Sequence, residues 1–127
     1  MIKDSLTKKI LIVEDDPPLL SSLKEKFESE GFDIFVAKDG QEGLAIVKKI
    51  KPDLVLIDIL LPKMDGITMA QEITKLNLGT LMIFLTNLND SEHISKAISI
   101  NVADYLVKSD WNINDIVKRV KEKLGAR

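Results

Sequence analysis

Hydrophobic positions along the chain come in two alternating arrangements. In the first, short runs rich in Ile, Leu, Val and Phe are bounded by polar residues or glycine: Ile10 to Val13, Ile34 to Ala37, Leu54 to Ile57, Leu81 to Leu85 and Ala103 to Val107. Runs of this length predict strands buried on both faces. In the second, apolar residues recur at steps of three and four. Leu20, Leu23 and Phe27 predict a first helix closed by Gly31; Leu44, Val47 and Ile50 a second, ended by Pro52; Met69, Ile73 and Leu76 a third, ended near Gly79. A fourth opens at Asp90 or Ser91 and runs through Ile94, Ala97 and Ile98. The last has the clearest apolar face, Ile113, Ile116, Val117, Val120 and Leu124, with Asn112 as its cap and Asp115 at the positive end of its dipole.

Strand and helix alternate five times, with no linker, internal repeat or low-complexity tract between them. Buried strands joined by helices predict an α/β domain, a doubly wound parallel sheet covered on both faces, because each crossover is right-handed and has to shield the sheet. In such sheets ligands bind beyond the carboxyl ends of the strands. The 127 residues are the size of one ordinary domain.

Composition narrows the chemistry. Cysteine is absent, which excludes disulfides, thiolate metal sites and cysteine nucleophiles. The single histidine, His93, rules out a multi-histidine zinc site and argues against a Ser/His/Asp hydrolase. A net charge of −2 gives no general attraction to nucleic acid. No apolar run reaches membrane-spanning length, and the charged start, Met1 to Lys9, lacks a signal peptide's apolar centre, so a cytoplasmic location is expected. The end departs locally: Trp111 to Arg127 carries five basic and two acidic side chains. Lys118, Arg119, Lys121 and Lys123 suit an acidic partner, although a solvated helix face is the commoner use of such a run.

The predicted strand ends carry the chemistry-bearing residues. Glu14, Asp15 and Asp16 follow the first strand, Asp58 the third, Thr86 the fourth and Lys108 the fifth. Aspartates gathered from two strands repel one another unless a cation sits among them, and oxygen ligands without His or Cys select a hard ion such as Mg²⁺. A metal, a lysine and a hydroxyl around one carboxylate form a cradle for phosphoryl oxygens with Asp58 as the nucleophile. Taken singly, Asp16 before Pro17 and Pro18 fits a helix cap, and a lone lysine after a strand is usually solvated. Their joint order along the strands is what points to a site.

These residues resemble those of a known family, the receiver domain of two-component response regulators. The resemblance rests on Ile10-Leu11-Ile12-Val13-Glu14-Asp15-Asp16, Pro52-Asp53-Leu54-Val55-Leu56-Ile57-Asp58, Leu61-Pro62-Lys63-Met64-Asp65-Gly66, Phe84-Leu85-Thr86 and Ala103-Asp104-Tyr105-Leu106-Val107-Lys108, and covers essentially the whole chain. It implies a flavodoxin-like (βα)5 fold with strand order 2-1-3-4-5, a single domain over residues 1–127 with its core at about 8–125, and a non-enzymatic role. Asp58 is then the phosphoacceptor, charged by a sensor histidine kinase or a histidine phosphotransfer protein. Asp15, Asp16 and Asp58 would hold Mg²⁺ with the Ile59 backbone carbonyl, Thr86 and Lys108 would contact the phosphate, and Thr86 and Tyr105 would form the switch. Output would pass to a downstream protein target or through self-association, with no direct nucleic acid or membrane contact.

Four positions depart from the family pattern. Ser109 stands where proline preceded by a cis bond is usual, and a cis bond without proline costs about 3 kcal/mol, so a trans Lys108–Ser109 bond is expected. Asn87 replaces a small residue after Thr86. Leu60 and Leu88, two residues beyond Asp58 and Thr86, flank the path of the attacking water and can neither hold nor activate it, which predicts slow loss of the phosphoryl group. The rival readings are a phosphorylation-independent pseudo-receiver, an aspartate-nucleophile phosphatase, which wants a general acid at Leu60, and a flavin protein, which wants a hydroxyl- and glycine-rich loop where Pro17 and Pro18 stand.

Overall fold

A computed structural model of the chain describes residues 7–125. Most of the charged start, residues 1–6, and residues 126–127 with the basic Arg127 lie outside them. The strands are β1 (Lys9–Val13), β2 (Asp33–Ala37), β3 (Leu54–Ile57), β4 (Leu81–Thr86) and β5 (Asp104–Val107). The helices are α1 (Pro17–Ser29), α2 (Gly40–Ile50), α3 (Gly66–Leu76), α4 (Ser91–Ile100) and α5 (Ile113–Leu124), with a single 3₁₀ turn at Lys108–Asp110. All pairings are parallel, in the order β2-β1-β3-β4-β5. This is the flavodoxin-like arrangement that the alternation and the resemblance led us to expect.

Side-chain alternation along each strand divides the interior in two. On β1, Ile10 and Ile12 pack with Leu20, Leu23 and Phe27 of α1 and with Ile116, Val117 and Val120 of α5. Leu11 and Val13 point the other way, into Leu44 and Val47 of α2, Met69 and Ile73 of α3 and Ala97 of α4. The uninterrupted apolar runs are therefore strands with no solvent-facing side, as the period of two requires when helices cover both faces.

Helix ends follow their local chemistry. Asp39, Asp65, Asp90 and Asn112 each cap the helix that follows by accepting a backbone N–H with the side chain. Asn112 receives that of Asp115 at 2.8 Å, as the sequence pattern predicts. Helix α3 stops earlier than Gly79 suggests, because Asn77 adopts the left-handed conformation directly after Leu76. No peptide among the described residues is cis, so the Lys108–Ser109 bond is trans.

The basic face of α5 is largely used within the chain. Arg119 lies 2.6 Å from Asp104 and 4.8 Å over the Trp111 ring, Lys121 lies 2.7 Å from Glu30, and Lys123 approaches Asp104 at 3.9 Å. Lys118 is left exposed. A general acidic-partner surface on this helix is correspondingly weakened.

Phe27 is fully buried at the centre of the α1/α5 layer and meets Phe32 edge-on, with ring centroids 5.9 Å apart. Phe27→Ala is expected to cost about 3–5 kcal/mol in urea denaturation with the transition still cooperative.

Candidate functional site

The sheet register creates the site. Val13 pairs with Ile57, and the Asp58 N–H donates to the Val13 carbonyl at 3.0 Å, so Glu14 and Asp58 emerge side by side from the ends of β1 and β3. The Glu14 N–H continues the ladder on the other side to Ala37. Thr86 pairs with Val107 at the ends of β4 and β5, which brings Lys108 to the same rim.

Lys108 bridges the carboxylates. Its Nζ lies 2.7 Å from Glu14 Oε1 and 3.0 Å from Asp58 Oδ2. Glu14, Asp58 and Thr86 are the buried polar side chains of the described residues. Burial pushes the Glu14 carboxyl above its usual range, against the lowering hydrogen bonds from Lys108 and the Asp16 N–H; the Asp58 charge adds to the rise. Burial pulls the other way on Lys108, but its hydrogen bonds and charge attraction to Glu14 and Asp58 prevail and hold it above the ordinary lysine value. The ammonium is thus locked in its charged form between two acids.

Carboxylate oxygens of Glu14, Asp15 and Asp58 all lie within 4.8 Å of one another, an all-oxygen donor set that fits a hard divalent cation. Asp15 is exposed and opens the group to solvent.

Two expected ligands have other engagements. Asp16 sits at the N-cap position of α1, exposed, with Pro17 and Pro18 next in the helix, and its N–H donates to Glu14 Oε2 at 3.0 Å. The chain enters the helix there, and the acidic group contains Glu14 rather than Asp16. A signal for this was present: Glu14 directly follows Val13, the last of the apolar run, and Asp16 directly precedes the two prolines that open the helix. The Ile59 carbonyl is also committed, accepting the N–H groups of Gly66 at 2.8 Å and Leu61 at 3.1 Å. Those bonds fold the loop back on the site so tightly that a Cβ on Gly66 would lie 2.2 Å from the Asp58 carbonyl oxygen. The Leu60 carbonyl carries no such backbone bond.

Thr86 is fully buried, and its Oγ1 accepts weakly from the Leu88 N–H at 3.4 Å. Tyr105 is half-buried, stacked edge-on against Phe84 at 6.0 Å, and its hydroxyl donates to the Leu88 carbonyl. Burial first, then the charges of Asp90 and Asp58, raise the Tyr105 hydroxyl above its ordinary value, so it remains a donor. Leu88 is the common contact of both expected switch residues. Leu60 is strongly exposed at the lip, 60% of its surface open, with its N–H towards Asp58 Oδ1 at 3.4 Å.

The model of one family, the response regulator receiver domain, matches residues 10–121. The chain belongs to this family. Such receiver domains bind Mg²⁺ at an acidic pocket and interact with histidine kinases. The chain is 33% identical over 121 residues to the DNA-binding response regulator MtrA of Mycolicibacterium smegmatis, covering 95% of this chain and 52% of that protein. It is 31% identical over 117 residues to the alkaline phosphatase synthesis transcriptional regulatory protein PhoP of Bacillus subtilis, covering 91% and 49%. The chain thus spans about half the length of these curated relatives. Among solved structures, a CheY-like receiver domain protein from Methanospirillum hungatei superposes with a TM-score of 0.89 at 34% identity over 94% of each chain.

The Lys108 bridge has a measurable pH signature. In Lys108→Ala, Glu14 keeps the burial that raises it and loses the lysine that lowers it. Its folded-state value then rises further above its unfolded one, so stability is retained below about pH 4.5 and lost as pH climbs through the folded-state value. Urea denaturation is expected to show a loss of about 3 kcal/mol at pH 7 that shrinks towards pH 4.5.

Proposed function

We propose that this receiver domain takes a phosphoryl group onto Asp58 from a phosphohistidine of a sensor kinase or phosphotransfer protein, and that the modified domain acts by changing its contacts with a protein target or a second copy. The observation that carries the reading is the buried Asp58 carboxylate, held at 3.0 Å by Lys108 inside a ring of further carboxylates. Lys108 occupies Oδ2, while Oδ1 meets the Leu60 N–H only at 3.4 Å. Oδ1 is therefore the nucleophilic oxygen: it forms the new O–P bond as the P–N bond to the donor histidine breaks and the imidazole leaves.

A divalent cation held by Asp15, Asp58 and Glu14, with the Leu60 carbonyl as a further ligand, would neutralise the charge on the transferred phosphoryl oxygens. Lys108, already charged, pairs with one of those oxygens, and the Thr86 hydroxyl, bound only at 3.4 Å, is available to donate to another. The phosphorylation-independent alternative is not favoured, since every group the chemistry needs faces one rim. The chain is an acceptor and switch rather than a turnover enzyme, and its proposed location is cytoplasmic. DNA binding is named for the longer MtrA relative and is not proposed for these residues.

Incubation with acetyl phosphate and Mg²⁺, read by intact mass, tests the acceptor: wild type gains one phosphoryl group and Asp58→Asn gains none. In the same assay Asp15→Asn is expected to raise the Mg²⁺ concentration for half-maximal rate by about 10- to 100-fold, whereas Asp16→Asn leaves it unchanged. Equal effects of the two would return Asp16 to the metal site.

Leu60 offers the attacking water neither donor nor acceptor. Phosphate release from loaded Leu60→Asn is expected to be several times faster than from wild type, and equal rates would remove Leu60 from the account.

A further inference from the structure

The chain's single histidine, surplus to the chemistry of the pocket, is tied into the loop that leaves it. His93 Nδ1 lies 2.7 and 2.8 Å from the two carboxylate oxygens of Asp90, and the same carboxylate accepts the His93 backbone N–H at 3.2 Å. We propose that Asp90 and His93 form a proton-controlled clasp on the first turn of α4, tightened when the imidazole is protonated, which sets how firmly the loop from Thr86 to α4 is held.

The loop is short and pinned at both ends. Thr86 Oγ1 and the Tyr105 hydroxyl both engage Leu88, and two residues later Asp90 starts the helix by accepting the Ile94 N–H with its carbonyl and the His93 N–H with its side chain. Any displacement of Thr86 passes to α4 through Asn87, Leu88 and Asn89. A neutral imidazole can donate to Asp90 only in the tautomer that carries its proton on Nδ1, whereas the imidazolium donates from Nδ1 always and adds a full charge to the carboxylate. Histidine is the side chain whose ordinary charge change falls between pH 5 and 8, and here it is the only one.

The surroundings leave Asp90 as the decisive partner. On α4 itself, Glu92 and Lys96 are paired with each other at 3.4 Å. Across the groove that His93 and Lys96 share with α3, the charged group is Asp65, whose oxygens are taken by the N–H and hydroxyl of Thr68; Thr68 and Gln71 are neutral. From β5, Tyr105 feels the charge of Asp90 and is kept a neutral phenol by its raised value. The His93 interaction also holds the Asp90 carboxyl below its ordinary range, so the carboxylate is ionised at both pH 5.5 and pH 8. A protonated ring at a helix N-terminus is opposed by the helix dipole, and the carboxylate beside it offsets this.

The device needs no phosphorylation, so it stands or falls separately from the acceptor chemistry. Amide hydrogen exchange of residues 91–94 in the unmodified chain, followed by NMR and divided by intrinsic rates, tests it. Protection is expected to be about fivefold greater at pH 5.5 than at pH 8 in wild type, the gain of one charge-assisted over one neutral hydrogen bond. In His93→Gln the pH dependence disappears. Asp90→Asn retains a good capping side chain but not the charge, and is expected to lose the pH dependence while keeping a folded α4. Equal protection at both pH values in wild type, or an undiminished pH dependence in either variant, overturns the proposal.

Discussion

The structure turns on one electrostatic constraint: a parallel sheet brings acidic residues to the same rim, where their charges repel at close range. Glu14 and Asp58 leave adjacent, hydrogen-bonded strand ends, and both are buried. Lys108, delivered by β5 from beyond β4, supplies the charge that holds them, at 2.7 and 3.0 Å. The geometry of the ends of β1, β3 and β5 is thereby coupled to one side chain. Adding a phosphoryl group or a divalent cation to this rim changes the partners available to Lys108, and that is the local event from which a wider rearrangement can start.

The path outward is short. Leu88 receives a hydrogen bond at its carbonyl from Tyr105 and gives one at its N–H to Thr86, so the buried hydroxyl and the half-exposed ring report on the same loop. That loop ends at Asp90, the cap of α4. In contrast, the loop after β3 is rigid for a steric reason: Gly66 lies against the Asp58 backbone where no side chain fits, and its N–H is spent on Ile59. One wall of the site is closed by backbone-to-backbone contact while the other rests on a few single hydrogen bonds.

Much of this was legible from residue order. The uninterrupted runs at Ile10 and Leu54 read as doubly buried strands, and their observed packing into two separate helix layers agrees. Asp58, Thr86 and Lys108 each stand directly after such a run, and the register brings all three to one rim. Of the three consecutive acids after β1 the sequence reading named Asp15 and Asp16, whereas the carboxylates grouped with Asp58 are those of Glu14 and Asp15, because which acid joins the group depends on where the strand ends and the helix starts. Glu14 continues the ladder to Ala37, and Asp16 is already the cap position of α1. The engagement of the Ile59 carbonyl was equally illegible, since a backbone oxygen leaves no trace in residue identity and its bonds to Gly66 and Leu61 arise only when the loop closes.

The sequence by itself determined the class of fold, the order of the elements and the rim on which chemistry gathers, because periodicity of burial and the residues that end a strand are local properties. Tertiary structure alone decided which acid shares a proton-sensitive pocket with Asp58, that Lys108 spans both, that the charges of α5 are mostly spent on Asp104 and Glu30, and that His93 is clasped to Asp90. Each of these depends on distances of a few ångströms between groups brought together by folding, and over that range a hydrogen bond is made or lost and the Coulomb energy of an ion pair falls steeply.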